Sequence, residues 1–212
     1  QSWQTIPHVT QFDEADITDL QAHRQKRNKS ATTKKQKVTF LPFFMKAAAD
    51  LLKEAPTFNS SLDHKGENLI LKHYFHIGFA VDTPAGLLVP VLRDVDQKNI
   101  VEISTELQDL SQRARQKKLK PSELMGATFT ISSLGGIGGT FFTPIIDPPQ
   151  VAILGVSESR WQKVYDQKKK TTHPRYIVPF SLSYDHRVID GATAARFTAR
   201  YAEKLANADS YK

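Results

Sequence analysis

A chain of 212 residues that is 40% hydrophobic and 24% charged, with 12 Phe, suits one substantial buried core and is short for two domains. It contains no cysteine, which excludes disulfides, thiolate metal sites and a cysteine nucleophile, and no apolar run nears the roughly 20 residues that span a bilayer, so a soluble protein is expected. The net charge of +7 is clustered at Lys34-Lys35, Lys117-Lys118 and Lys168-Lys169-Lys170; without regular aromatic interleaving these clusters read as solvated loops and helix ends before a nucleic-acid surface, with a phosphorylated cofactor as a third option.

The chain opens on Gln1 with no basic-then-apolar segment, which suggests a fragment or a processed product. Residues 6–12 alternate as a strand should, and Asp16 then opens a helix toward Asn28 with Asp19 in its first turn, where the helix dipole favours acid. Residues 30–37 are polar and basic with no apolar period, and read as a loop or frayed end. Pro42 starts a second helix through Glu54, which Pro56 stops. Residues 69–81 read as strand pairs leading into Asp82-Thr83-Pro84-Ala85-Gly86, which is turn chemistry. Residues 87–92 continue as a buried strand. Ile100, Ile103, Leu107, Leu110 and Ala114 then mark one face of a long amphipathic helix, and residues 127–131 return to strand.

Gly135, Gly136, Gly138 and Gly139 follow the strand that ends in Ser132-Ser133. A phosphate loop would need a Gly-Lys-Ser/Thr ending and a following helix, whereas Phe141-Phe142-Thr143-Pro144 is not helix-forming, so a tight turn or bulge is expected. Residues 151–156 form another buried strand, and Lys163 to Lys170 end an exposed hairpin. Residues 176–184, rich in β-branched and aromatic types, run as a strand into Asp185-His186-Arg187-Val188-Ile189-Asp190-Gly191, after which residues 192–205 read as an alanine-rich helix. Such a mixture predicts an α/β or α+β layered domain over residues 1–212. His186 therefore stands at an element boundary, where backbone geometry fixes a side chain. A histidine beside Asp and Arg is commonly part of a structural network; the alternative is a base, since imidazole takes and returns a proton near neutrality.

Several segments together resemble the catalytic domain of dihydrolipoyl acyltransferases, the acyl-transferring components of 2-oxo acid dehydrogenase complexes. They are Ile6-Pro7-His8-Val9-Thr10, Phe58-Asn59-Ser60-Ser61-Leu62, Gly86-Leu87-Leu88-Val89-Pro90-Val91, Phe129-Thr130-Ile131-Ser132-Ser133-Leu134-Gly135, and Ser183-Tyr184 with the histidine motif. The Phe-Thr-Ile-Ser-Ser-Leu-Gly segment looks most like the acetyl-transferring branch, which serves the pyruvate dehydrogenase complex. The resemblance implies a chloramphenicol-acetyltransferase-like mixed sheet with flanking helices, assembled as a homotrimer with active sites between subunits.

It also implies roles. Moving an acetyl group from dihydrolipoamide to coenzyme A requires a base for the thiol and a donor for the tetrahedral oxyanion. His186 would be the base and Ser132 the hydroxyl donor, an interaction typically worth about 3 kcal/mol. Ser133 would approach the pantetheine arm. Asp190 would either orient His186 or hold the turn into the last helix; the second role is preferred, since some relatives have Asn there. Arg24 would bind phosphate through its planar fork, Thr39 would contact coenzyme A, and Asp82 would bond the ligand's amide-bearing or thiol-bearing arm. With no cysteine, direct transfer in a ternary complex is expected and no metal is implied.

Other readings are branched-chain or succinyl transfer in a related complex, a chloramphenicol-type O-acetyltransferase, or chiefly a structural scaffold. Trimers could build a cube or a dodecahedron; where the family usually has a hydrophobic tail that joins trimers the sequence ends in Asn207-Ala208-Asp209-Ser210-Tyr211-Lys212, so either the tail is truncated or the contacts between trimers differ. The pyruvate decarboxylase and dihydrolipoyl dehydrogenase components would be recruited through lipoyl and peripheral-subunit-binding segments that this chain does not show. The bacterial cytoplasm is expected ahead of the mitochondrial matrix, with neither nucleic acid nor membrane as partner.

Overall fold

The strand that leads to His186 is the longest of the fold, β11 (Thr171–Asp185), and its second half is buried on both faces. A computed structural model describes residues 2–33 and 37–211. Before β11 come α1 (Ser2–Thr5), β1 (His8–Asp16), α2 (Thr18–Lys29), α3 (Leu41–Glu54), β2 (Ser60–Leu62), β3 (Leu69–Leu71), β4 (Ile77–Phe79), β5 (Val81–Thr83), β6 (Gly86–Leu88), β7 (Val91–Leu92), α4 (Ile100–Arg115), β8 (Phe129–Ser133), β9 (Ala152–Val156) and β10 (Arg160–Asp166); α5 (Gly191–Ala206) follows it.

β11 lies between β1 and β9 in a sheet of order β1-β11-β9-β8-β4-β7, and β10 pairs with its first half. β8 runs parallel to both β4 and β9 while the other pairs are antiparallel, so the sheet is mixed, as expected. Helices cover one face. Phe129 packs on Phe197, the Phe180 ring meets Tyr201 edge-on at 5.2 Å, and the buried Tyr201 hydroxyl donates to the Phe44 carbonyl. α3 brings nine buried residues to this core, its polar residues Lys46, Asp50, Lys53 and Glu54 being confined to one stripe.

The opposite face carries hydroxyls. Alternation along the strands puts Thr130 and Ser132 of β8, Ser181 and Ser183 of β11, and Thr10 of β1 on the side away from the helices. Thr130 donates to Gln150 Oε1 at 2.7 Å, and the Thr10 and Ser183 hydroxyls share a bond of 2.8 Å. The segment after β8 folds over this face.

Its glycines form a turn, with Gly138 and Gly139 at φ +132 and +90, and no helix follows. Phe141 then meets Phe12 edge-on at 5.4 Å, while Phe142 lies against bare backbone at Gly155, where an added Cβ would stand 2.7 Å from Cζ of that ring. Gly155→Ala is therefore expected to destabilise the chain by about 1–3 kcal/mol through overpacking. Chemical denaturation checks this; a midpoint equal to that of the unaltered chain refutes it.

Several boundaries differ from the sequence expectations. Asp16 ends β1 instead of opening α2, and its Oδ1 accepts from the Thr18 amide and hydroxyl at 3.0 and 2.5 Å. Residues 87–92 are not one buried strand: Leu87 is 67% exposed in the β5–β6 hairpin, and only Val91 and Leu92 join the main sheet. Pro90 separates the two, since it offers no amide to a ladder, although its carbonyl accepts from the Phe79 amide at 3.0 Å. The strands within residues 69–81 fall in three different sheets. Lys168 and Lys169 belong to the solvated β10–β11 turn, where their amides donate to Asp166; Lys34-Lys35 lies outside the described residues.

Candidate active site

At the end of β11 the chain turns sharply into α5, and two carboxylates shape the turn. Asp185 is 2% exposed; it forks onto the Arg187 guanidinium, with bonds of 2.6 to 3.2 Å, and accepts from the Arg187 amide. Its carbonyl accepts from the Val188 and Ile189 amides. Asp190 caps α5, with Oδ1 accepting from the Thr193 amide at 2.8 Å and Oδ2 from the Thr193 hydroxyl at 2.9 Å. The backbone bond from Thr193 is the main cause that lowers the Asp190 pKa. These bonds point to turn-holding.

Between the two carboxylates, His186 is exposed and fixed through its backbone, whose amide donates to the Pro7 carbonyl at 3.0 Å. Its ring stands 6.0 Å from that of Tyr184, and among the described residues none hydrogen-bonds its nitrogens. His8, in register with Asp185, is different: Nδ1 bonds the Ile6 carbonyl at 2.8 Å and Nε2 accepts from the Ile146 amide at 3.1 Å. Those two bonds require a neutral ring with its proton on Nδ1. His8 is structural; His186 is available.

Ser132, half-buried, likewise has no hydroxyl partner among the described residues. Its place in the sheet is set by register. Ser132 pairs with Gly155 and Gly155 with Ser181, so His186 lies five residues farther along β11. Five residues at about 3.3 Å each, and two strand spacings of about 4.8 Å, separate their backbones by roughly 19 Å. Within one chain the two cannot act on one substrate.

Ser133, pointing to the helix side, lines a cavity of about 510 Å³ between the ends of β8 and β9, the start of α3 and α4. Thr39 and Asp82 line the same cavity, with Phe40, Phe79, Val156 and Tyr176 as apolar and aromatic walls. Three of the four residues expected to bind one ligand thus meet. Arg24 stands behind that wall: its guanidinium lies 4.4 Å over the Phe40 ring, donates to Gln21 Oε1 at 2.9 and 3.2 Å, and reaches the Val38 carbonyl at 3.5 Å. Burial lowers its pKa, an effect Tyr176 opposes.

The sequence reading missed Ser111 and Arg115, which also line the cavity. Their spacing of four on α4, flanking its apolar stripe, is the signal that could have found them. Phe142 on Gly155, beside Ser132, was missed as well. Among the described residues no group of three or more His, Asp or Glu could hold a metal, and no helix is long and apolar enough to cross a membrane.

The mixed sheet with helices on one face is also the fold of chloramphenicol acetyltransferase, on which this chain superposes with a TM-score of 0.57 over 98% of its length and 89% of that protein's. At 15% identity this likeness concerns the fold alone. The chain belongs to the 2-oxoacid dehydrogenases acyltransferase (catalytic domain) family, whose model matches residues 1–211.

A relative from Pseudomonas aeruginosa, the dihydrolipoyllysine-residue acetyltransferase component of pyruvate dehydrogenase complex, is 57% identical over 206 residues, covering 97% of this chain and 37% of its own. The chain spans between about a third and a half of the length of the curated relatives it matches. Among solved structures, Azotobacter vinelandii dihydrolipoamide acetyltransferase is 56% identical with a TM-score of 0.95, covering 99% of this chain and 86% of that one. That enzyme was studied for the catalytic role of a serine, a histidine and an asparagine four positions beyond the histidine. Here Asp190 stands four beyond His186. The cubic core of a pyruvate dehydrogenase multienzyme complex is 55% identical with a TM-score of 0.93 and the same coverage.

Proposed function

We propose that this chain transfers an acetyl group between the thiols of dihydrolipoamide and coenzyme A, as the catalytic core of a pyruvate dehydrogenase complex. The observation that carries this reading is the pair of unengaged groups, His186 and Ser132, held at opposite ends of one sheet about 19 Å apart. Each needs a second copy to complete it. A homotrimer, in which His186 of one subunit faces Ser132 of the next, supplies that complement.

In this reading coenzyme A lies in the cavity of Thr39, Asp82 and Ser133. His186 Nε2 removes the proton from its thiol as the sulfur attacks the thioester carbonyl of acetyl-dihydrolipoamide. The Ser132 hydroxyl donates to the oxyanion. Collapse breaks the bond to the lipoamide sulfur, which takes back the proton from His186. No cysteine is present to form a thiol acyl-enzyme, so transfer is direct. Both thiols are substrates, and no metal takes part. Asp190 holds the turn that presents the base.

Trimers assembling into a cube, the decarboxylase and dihydrolipoyl dehydrogenase as partners, and the bacterial cytoplasm as setting are further parts of the reading, supported by the acetyltransferase relatives and the cubic core. Donor profiling tests the acyl preference. Among acetyl, succinyl and isobutyryl dihydrolipoamide, the acetyl thioester is expected to give the highest kcat/KM, and a higher value with either of the others reassigns the substrate.

A further inference from the structure

We infer that His8 is a positioning residue with two outputs: one imidazole nitrogen steadies the backbone that holds the base, His186, and the other pins the segment that covers the sheet beside the oxyanion donor, Ser132. The inference rests on the proposed transfer and on the shared site in which those two groups meet.

Three parts of the chain converge on this ring. His8 is in register with Asp185, one residue before the base. Its Nδ1 donates to the Ile6 carbonyl at 2.8 Å, closing a tight loop around Pro7, and the Pro7 carbonyl is the acceptor of the His186 amide. On the other side Nε2 accepts from the Ile146 amide at 3.1 Å, while the Ser2 hydroxyl donates to the Ile146 carbonyl at 2.6 Å, so the Ile146 backbone is held at both of its polar groups. Ile6, Ile146 and Ile153 pack together as a small apolar cluster apart from the main core, and the Trp3 ring lies 5.0 Å from that of His8.

Ile146 is the far anchor of a strap. The strap leaves β8 after Ser133, turns at Gly138 and Gly139, lays Phe142 on Gly155 beside Ser132, and ends on His8. It therefore runs from the donor end of the chain toward the base end. A strap with a loose end would admit water to the Ser132 hydroxyl and weaken its donation to an oxyanion. A loose Pro7 would instead misplace the His186 imidazole, and small displacements of a reacting group cost rate steeply. Each nitrogen serves one half of the site. A neutral imidazole suits the task, being a donor on one side and an acceptor on the other. The competing role for His8 is ring packing alone, against Trp3 and the small cluster.

Asn and Gln divide the ring between them. An Asn side-chain amide reaches about as far as Nδ1 and can donate to Ile6, whereas a Gln amide reaches about as far as Nε2 and can accept from Ile146. His8→Asn and His8→Gln, each short of one bond, are each expected to lower kcat for acetyl transfer about tenfold, with assembly retained in sedimentation. Reconstituted mixtures then locate each defect. His186→Ala chains supply an intact donor and Ser132→Ala chains an intact base. His8→Asn should be about fivefold more active when mixed with His186→Ala than with Ser132→Ala, because about one site in four then joins its intact base to an intact donor; His8→Gln should show the reverse preference. Should one variant not assemble, the partner preference of the other decides. Unaltered kcat in both variants, or a loss that the two partners relieve equally, overturns the inference and leaves the proposed function intact. The mixture of His186→Ala with Ser132→Ala is the control: if it stays inactive while the unaltered protein transfers acetyl, the shared site and this inference fall together.

Discussion

His186→Ala is expected to lower kcat for acetyl transfer about 10³-fold, within the span that a positioned general base contributes. The protein should survive the change. The ring is exposed and no described residue bonds it, while the contact that anchors the position is the backbone amide donating to the Pro7 carbonyl, which alanine keeps. Asp185, Arg187 and Asp190 shape the turn around it and are untouched. Thermal midpoint and sedimentation should therefore match the unaltered protein. Steady-state transfer to coenzyme A checks the prediction, and near-normal turnover refutes His186 as the base.

Ser132→Ala should lower kcat about 10²-fold with KM within about twofold, because the donor acts on charge that exists only in the tetrahedral state. Its hydroxyl has no partner among the described residues, so removing it breaks no bond of the fold. A loss expressed in KM instead would place Ser132 in ground-state binding. The two variants also test where the site lies. Each retains what the other lacks, so assemblies reconstituted from a mixture of His186→Ala and Ser132→Ala chains should recover activity that neither has alone; no recovery would rule out a site shared between chains.

What the sequence disclosed depended on how local the cause was. The turn after β11 was legible because Asp-His-Arg and Asp-Gly follow a strand pattern and precede an alanine-rich helix within a few residues. The buried stripe of α4 was legible from its period, and the lack of a helix after the glycine cluster from Phe141, Phe142 and Pro144. Residues 87–92 misled, since their apolar run masked the break at Pro90, and hydropathy alone cannot tell a buried run from an exposed hairpin edge. The separation of Ser132 from His186 had no local signal: it depends on a register that passes through Gly155 and Ser181. Arg115 was invisible for a similar reason. Its partners on the cavity come from β5, β8 and the approach to α3, and only folding brings them to one place.

A chain that bears its base at one end of a sheet and its oxyanion donor at the other is a connector with unlike ends. Joining such connectors head to tail leaves a spare base and a spare donor on every open string, whatever its length. Closing the string removes both, so that each copy gives to one neighbour and receives from the other. In the proposed enzyme ring closure is therefore what makes the number of complete sites equal the number of chains.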